Sequence, residues 1–547
     1  MALAVPASHS RRGMVIEVVE REPYPRGMDT ALLLRLRADL AAADYRAATV
    51  SGLLGDGADA ARLRGVFVPA ERALAERDGS ALALLVRLFL LGAAVTAAEL
   101  DAALPALGAA GARELGLVAA EPGEASTDAL RAALSLNPVA IADSRSDEPV
   151  DWWLLSDLDD QLRRGPARPD HVMGVGGATR SLIAQAPPGD VALSLDLGTG
   201  CGIVALHLAL RGGRVIATDI SERALELAAA NAVLNTLDHA IEFRRGDLFA
   251  PVHADRFDLI LSNPPFVITP RAGDGPIYEY RDGGLVGDAL AAAVVRDGPA
   301  LLVPGGTMLC LANWETPWGG NGLGRVHDWI AAGVAGPLTA WVIERDRVSP
   351  AQYAETWVRD GGARPGTAAF TELLSAWLDD FSERRVIGIG LGAIRIRREP
   401  ETTDPAPPSV VHVEQATGSL SAAGLGRDLE AAFAAGATAA RMSDAEVLAT
   451  HWIVSPAVTE ERIHEPGHES PSALTLLTDR PIARRVAADP LLAAAVGASD
   501  GDLTLGQIAD ALATLLDVDA AAAREAVIAG ARELAWLGML SPGAPRA

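Results

Sequence analysis

"VALSLDLGTGCGIVALHLALRGGRVIATDISERALELAAANAVLN", residues 191–235, decides the fold. An apolar run reaches Asp196 and Leu197, three glycines follow within five residues, and a helix-like stretch leads into a second β-rich run that closes on Asp219. Strand, glycine-rich turn, helix, strand and acidic end is the order of a nucleotide-type βαβ unit. Gly198, Gly200 and Gly202 allow the backbone to pass close to a ligand and hand over to a helix whose first N–H groups can meet an anion. Asp219 ends the second strand, where a carboxylate can accept both hydroxyl hydrogens of a ribose. Thr199 in the turn and Ile220 beside the carboxylate belong to the same candidate ligand site.

Three readings of this unit stay open on these residues alone. "GCGIVA" (200–205) satisfies the dinucleotide pattern G-x-G-x-x-A, which a nicotinamide or flavin cofactor would use. Plain strand-turn-helix packing is the second reading, and S-adenosylmethionine the third. Asp196 bears on the choice, because a carboxylate at that strand end suits a ligand with an ammonium group and repels a diphosphate. Next comes "IEFRRGDLF" (241–249), a third strand followed by Asp247 and Leu248, placed to bond the exocyclic amine of adenine and cover its face. "FDLILSNPPF" (257–266) supplies a fourth strand that runs into Asn263, Pro264, Pro265 and Phe266. Two successive prolines have no N–H to donate and a fixed φ, so the strand ends in a stiff corner. All these strand ends fall on the carboxyl edge of a parallel sheet, where open α/β folds bind ligands.

Taken in order, D196-L-G-T-G-C-G202, Asp219, "GDLF" and N263-P-P-F266 resemble class I S-adenosylmethionine-dependent methyltransferases of the N-P-P-[FY] branch. These modify amino nitrogens of nucleobases or the side-chain amide of glutamine. "LDLGTGCG", "GDLF" and "SNPPF" look like the glutamine methyltransferases acting on release factors, whereas Phe266 in place of Tyr looks more like ribosomal-RNA guanine methyltransferases. The resemblance covers about 175–310, extends loosely to "VIGIGLGAIRIRR" (386–398), and leaves both flanks unaccounted for. It implies that Asn263 and the Pro264 carbonyl each accept an N–H bond from a planar amine, that Pro265 stiffens the corner, and that Phe266 stacks on the flat acceptor. It implies S-adenosyl-L-methionine as cofactor, held by Asp196, Gly198, Thr199, Gly200, Gly202, Asp219, Ile220, Asp247, Leu248 and Asn263, with no metal.

Elsewhere the sequence is less specific. "MGVGGATRSL" (173–182) could close over the cofactor with Arg180 near its carboxylate, or serve as a flexible joint. "YEYRDGGLVGD" (278–288), with Tyr278, Tyr280 and Arg281, reads equally as a substrate lid or a solvated loop. Trp152 and Trp153 are expected between domains, Trp314 and Trp318 at the substrate cleft or in the core. "HEPGH" (464–468) pairs two histidines, but Pro466 and Gly467 keep them off one helical face and no further ligand accompanies them.

At 547 residues the chain exceeds one core. Three parts are expected: an α-rich, winged-helix-like N-terminal domain (1–165), a Rossmann-like α/β methyltransferase core (166–400), and an acidic α+β C-terminal region (401–547) with a second winged-helix-like order at 500–542. In the N-terminal part "ALSLNPVAIA" (133–142) and "VDWWLLSDL" (150–158) are expected to form the hairpin of the wing, and plain helical packing is the alternative for both flanks. "RREPETTDPAPPS" (397–409) reads as a linker.

Lysine is absent, so all 47 basic residues are arginines. Schiff-base chemistry and the usual phosphate-loop lysine are therefore excluded. The net charge of −24, weighted to the C-terminal region, argues against broad non-specific nucleic-acid binding while leaving room for a local arginine patch. Two cysteines, Cys201 and Cys310, make no disulfide framework, and with no apolar run long enough to span a membrane and no secretion signal the expected compartment is the cytoplasm. The expected function is methyl transfer from S-adenosylmethionine to a planar amino nitrogen of a nucleic acid, RNA ahead of DNA, or of a protein glutamine. A small-molecule methyltransferase or oxidoreductase and a cofactor-binding DNA regulator are the alternatives.

Overall fold

The computed structural model describes residues 27–543 apart from 76–78, 121–128, 146–147, 164–167, 272–282, 334–335, 401–406 and 469. The candidate lid residues Tyr278, Tyr280 and Arg281 lie outside the described residues.

Eight strands form the central sheet: β1 (Leu193–Leu197), β2 (Arg214–Asp219), β3 (Ile241–Arg245), β4 (Phe257–Ser262), β5 (Leu302–Pro317), β6 (Leu338–Val348), β7 (Val386–Arg398) and β8 (Val410–Gln415). Their spatial order is β3-β2-β1-β4-β5-β7-β6-β8. β7 runs antiparallel to both neighbours, and every other pairing is parallel. The apolar runs seen in the sequence follow from burial on both faces. Leu259, Leu261, Leu309 and Leu311 pack into one core, while Ile260, Met308, Cys310 and Ala312, one residue out of phase, pack into the other.

Covering helices are α1 (Gly177–Gln185), α2 (Ile203–Ala209), α3 (Glu222–Leu234), α4 (Ala289–Asp297), α5 (Gly322–Ala331), the pair α6 (Pro350–Asp360) and α7 (Ala368–Glu383) between β6 and β7, and α8 (Leu425–Arg441). The β1-α2-β2-α3-β3 half builds in one direction from β1, and β4 starts the other half at its opposite side. Between β1 and β4 lies the switch point, the place where such sheets open a crevice. Ser262 Oγ donates to Leu197 O at 2.9 Å and ties these two strand ends together.

Two expectations are corrected here. The central sheet continues beyond the boundary placed at residue 400, because β8 pairs with β6 from Thr339↔Val410 to Glu344↔Gln415. The wing-like hairpin is also not 133–142 with 150–158. Those residues form a separate antiparallel hairpin, Ser135–Ala142 with Pro149–Ser156, which lies on α3 because the Asn231 and Asn235 side chains supply a ladder to its second strand. The short three-stranded sheet of the N-terminal region is instead Val95–Thr96, Ala129–Ala132 and Val118–Ala120, in that order, with helices Ala97–Ala103 and Gly108–Glu114 between its first two strands in sequence.

An apolar core runs from Leu33 through Trp152 and Trp153 to Leu261 in β4, so the N-terminal region and one face of the central sheet share one interior. Trp152 donates to His207 of α2 at 2.9 Å, which places it between those two parts. Near the other end, Leu505–Leu516 and Ala520–Trp536 lead to Leu540–Pro542, whose partner strand, Trp452–Val454, comes from far upstream. Trp536 packs there against Trp341 of β6 and Phe433 of α8. Cys201 and Cys310 are both buried and unpaired, and burial pushes their thiols up to about 11 and about 12. Among the described residues no helix is long and apolar enough to cross a membrane.

Candidate active site

A cavity of about 460 Å³ opens at the switch point. Asp196, Gly198, Thr199 and Gly200 line it from the β1 end, Asp219 and Ile220 from β2, Asp247 and Leu248 from β3, and Asn263 to Phe266 from β4. The strand-end motif residues, apart from Gly202, therefore line one space.

The glycine-rich turn is built by its own hydrogen bonds. Gly198 N–H and Thr199 N–H both donate to Thr218 O, at 3.0 and 2.9 Å. Gly202, at φ +86°, sits beside α3, where an added Cβ would meet the Ala228 Cβ at 2.9 Å. It acts through packing, letting α2 start close against α3. Asp196 is buried, and its Oδ2 accepts from Thr199 Oγ1 at 2.6 Å and from Ala205 N–H at 2.9 Å. Burial pushes its carboxyl up to about 7, with the two hydrogen bonds opposing and the nearby Asp219 charge assisting.

Asp219 Oδ2 accepts from Gly200 N–H and Oδ1 from Ser221 N–H, each at 2.9 Å. These two N–H groups fix the orientation of the carboxylate at the cavity. Leu248 holds a left-handed φ of +44°, unusual for a branched residue, and this turn brings Asp247 and Leu248 to the cavity together.

At the β4 corner the Asn263 side-chain Nδ2 donates to Thr179 Oγ1 at 3.0 Å. Its Oδ1 is buried and has no hydrogen-bond partner among the described residues. Leaving such an acceptor unpaired costs about 1–3 kcal/mol, a cost that an arriving N–H would offset. Beyond the corner, Ile268 N–H donates to the Tyr353 hydroxyl at 3.1 Å, and that oxygen also accepts from Asn313 Nδ2 at 2.7 Å. α6 is thereby held over the segment that follows the prolines.

Some expected positions fall elsewhere. Met173, Gly174 and Gly176 to Thr179 do line the cavity, but Arg180 turns away and donates to Ala140 O of the N-terminal hairpin at 2.9 Å. Trp314 takes the core alternative, fully buried and donating to Glu344 at 3.0 Å, while Trp318 is exposed, and neither is among the residues that line the cavity. Trp357 of α6 lines it instead, as do Leu290, Gly283 and Gly284. Its spacing of four from the buried Tyr353 was visible in the sequence, but nothing local links that helix to a corner some ninety residues earlier.

His171 and Val172 complete the rim. They are held by Asp157, which accepts from Val172 N–H at 2.9 Å and pairs with Arg223 of α3. Burial raises the Asp157 carboxyl, yet Arg223 and the Val172 N–H outweigh it and hold the group below its usual range. The two histidines of 464–468 are exposed in a turn, and among the described residues no cluster of His, Cys, Asp or Glu is arranged for a metal.

Residues 174–319 match the methyltransferase small domain family. This match covers β1 to β5 of the central sheet. Residues 42–133 match a domain of unknown function, DUF7059. The chain is 38% identical over 150 residues to the ribosomal protein uL3 glutamine methyltransferase of Bradyrhizobium diazoefficiens, covering 26% of this chain and 46% of that protein. It is 38% identical over 128 residues to the release factor glutamine methyltransferase of Xylella fastidiosa, covering 22% and 46%. Against the release factor glutamine methyltransferase of Cereibacter sphaeroides the figures are 40% over 140 residues, 24% and 50%. The chain thus spans about half the length of the curated relatives it matches. The YcgJ protein of Bacillus subtilis, a solved structure, is aligned over 40% of this chain and 94% of its own at 15% identity with a TM-score of 0.26.

Proposed function

We propose that this protein transfers a methyl group from S-adenosylmethionine to the side-chain amide nitrogen of a glutamine in a protein. The observation that carries the reading is the side-chain oxygen of Asn263, a residue that lines the cavity: it is buried and has no hydrogen-bond partner among the described residues. The relatives named above are glutamine methyltransferases of protein substrates, which favours a protein acceptor over the nucleic acid expected from Phe266.

S-adenosylmethionine, when bound, supplies a methyl group on a sulfonium, ready for a nucleophile. The residues present fit such a ligand: Asp219 for its ribose hydroxyls, Asp247 and Leu248 for the adenine, and the Asp196 carboxylate for its ammonium group. An amide nitrogen is a poor nucleophile because its lone pair is delocalised into the carbonyl. Asn263 Oδ1 and the Pro264 carbonyl would accept its two N–H bonds, hold the nitrogen in place and draw it towards tetrahedral geometry. Pro265 stiffens the corner, Phe266 offers a face to the planar amide, and no strong base is required. Asn263 Oδ1 is shielded from water, so the acceptor must displace part of the cavity wall to reach it. Two buried, unpaired thiols suit the reducing cytoplasm.

The test is incubation with methyl-labelled cofactor and, separately, release factor, ribosomal protein uL3 and ribosomal RNA, followed by peptide mass spectrometry. A methyl group on a glutamine side chain supports the reading. Label confined to RNA or to small molecules overturns it.

A further inference from the structure

An amide side chain has two ends of similar shape, and only one can accept a hydrogen bond. For Asn263 to present oxygen to an incoming N–H, something must hold its NH2 end. The hydroxyl oxygen of Thr179 accepts from Nδ2 at 3.0 Å, while Oδ1, at the other end of the same plane, has no partner among the described residues. We propose that Thr179 is the positioning residue that holds the Asn263 amide in the plane that presents its oxygen to the acceptor. This deepens the methyl-transfer reading and rests on it.

Thr179 is well placed to hold that amide. It lies in the first turn of α1, whose Leu182 and Ile183 are buried. The helix is tied at one end by Arg180 Nη1 to Ala140 O at 2.9 Å and at the other by Arg395 Nη2 to Gln185 O at 2.6 Å. An acceptor oxygen on a helix so anchored cannot follow the amide if it rotates. A flipped amide would put Nδ2, a donor, against the donor N–H of the substrate. Thr179 belongs to the glycine-rich stretch before β1 and Asn263 to the corner after β4, so the sheet's switch point is what makes them neighbours.

Thr179→Val keeps the shape and removes the acceptor; Thr179→Ser restores it. With release factor or uL3 as acceptor, kcat of Thr179→Val should fall about tenfold, cofactor Kd should stay within twofold, and Thr179→Ser should recover to within threefold of the wild type. In the Asn263→Ala background Thr179→Val should cause no further loss, because there is no amide left to orient. The side-chain amide NMR signal of Asn263, assigned by its loss in Asn263→Ala, should shift in Thr179→Val and not in Thr179→Ser, and this readout needs no turnover. Thr179→Val with wild-type kcat and an unmoved amide signal overturns the inference, as does a parallel loss of kcat and cofactor affinity. A wild-type protein that methylates neither acceptor counts against the methyl-transfer reading, and the amide signal then decides the hydrogen bond by itself.

Discussion

Asn231 of α3 grips the backbone of Leu155 at both its polar groups: Oδ1 accepts from Leu155 N–H at 2.7 Å and Nδ2 donates to Leu155 O at 2.9 Å. The same Nδ2 reaches Cys201 O in the glycine-rich turn at 2.8 Å. One fully buried side chain thus joins the N-terminal hairpin, a core helix and the turn that faces the cavity. Asn231→Ala would strand three buried backbone groups, each costing about 1–3 kcal/mol if it finds no new partner. A loss of about 3 kcal/mol in urea unfolding is expected, together with weaker cofactor binding. A midpoint shift worth under about 0.5 kcal/mol would mean that the hairpin holds without this grip.

Two glycines of the turn should respond differently to a methyl group. Gly202→Ala meets Ala228 at 2.9 Å and must keep a φ of +86°, so overpacking and strain add to about 3 kcal/mol. Gly200→Ala has open space around it and only the left-handed backbone, at +53°, to tolerate, for about 1 kcal/mol. Thermal unfolding of both variants checks the ordering, and equal losses would show that packing against α3 is not what Gly202 is for.

Cofactor affinity should depend on pH through Asp196. Burial holds this carboxyl near 7, so it is neutral in acid and can attract an ammonium group only once ionised. From pH 7 to pH 6 the ionised fraction falls from about half to about a tenth, and affinity should weaken about fivefold. Asp196→Asn should flatten the profile measured by calorimetry. The sign for folding is the reverse: with the folded value raised above the unfolded one, this group's contribution to stability is complete below the unfolded value and is lost as pH rises through about 7. Affinity that is level across this window would remove Asp196 from the ammonium site.

Tyr353→Phe tests the hold of α6 on the segment after the Asn263 corner. It removes the oxygen that accepts from Ile268 N–H and Asn313 Nδ2, both buried. Stability should drop by about 2 kcal/mol and turnover about tenfold, with cofactor Kd unchanged, since the contact lies on the acceptor side. Turnover equal to the wild type would show that the corner is stiff without it.

Much of the site was legible because its signals are local. The spacing of Asp196, the three glycines, Asp219, Asp247 and the Asn263 corner repeats the strand-turn-helix alternation of the sheet, and each falls at a strand end. What was not legible depends on contacts far apart in sequence. β8 follows a proline-rich acidic stretch that reads as a linker, and only its ladder to β6 makes it part of the sheet. The hairpin on α3 was legible as two strands, but its placement is decided by Asn231 and Asn235, which read as ordinary helix residues. Arg180 looked like a ligand for a carboxylate and is spent on a carbonyl of that hairpin. Trp357 and Thr179 had no pattern of their own, since each is defined by what it faces across the cavity.

Measuring cofactor Kd and kcat side by side for Asn263→Ala reaches most directly the idea that a placed amide oxygen activates the acceptor nitrogen. Turnover should fall by about 100-fold or more while Kd stays within twofold of the wild type. Undiminished turnover, or equal losses in both quantities, would contradict the role given to Asn263.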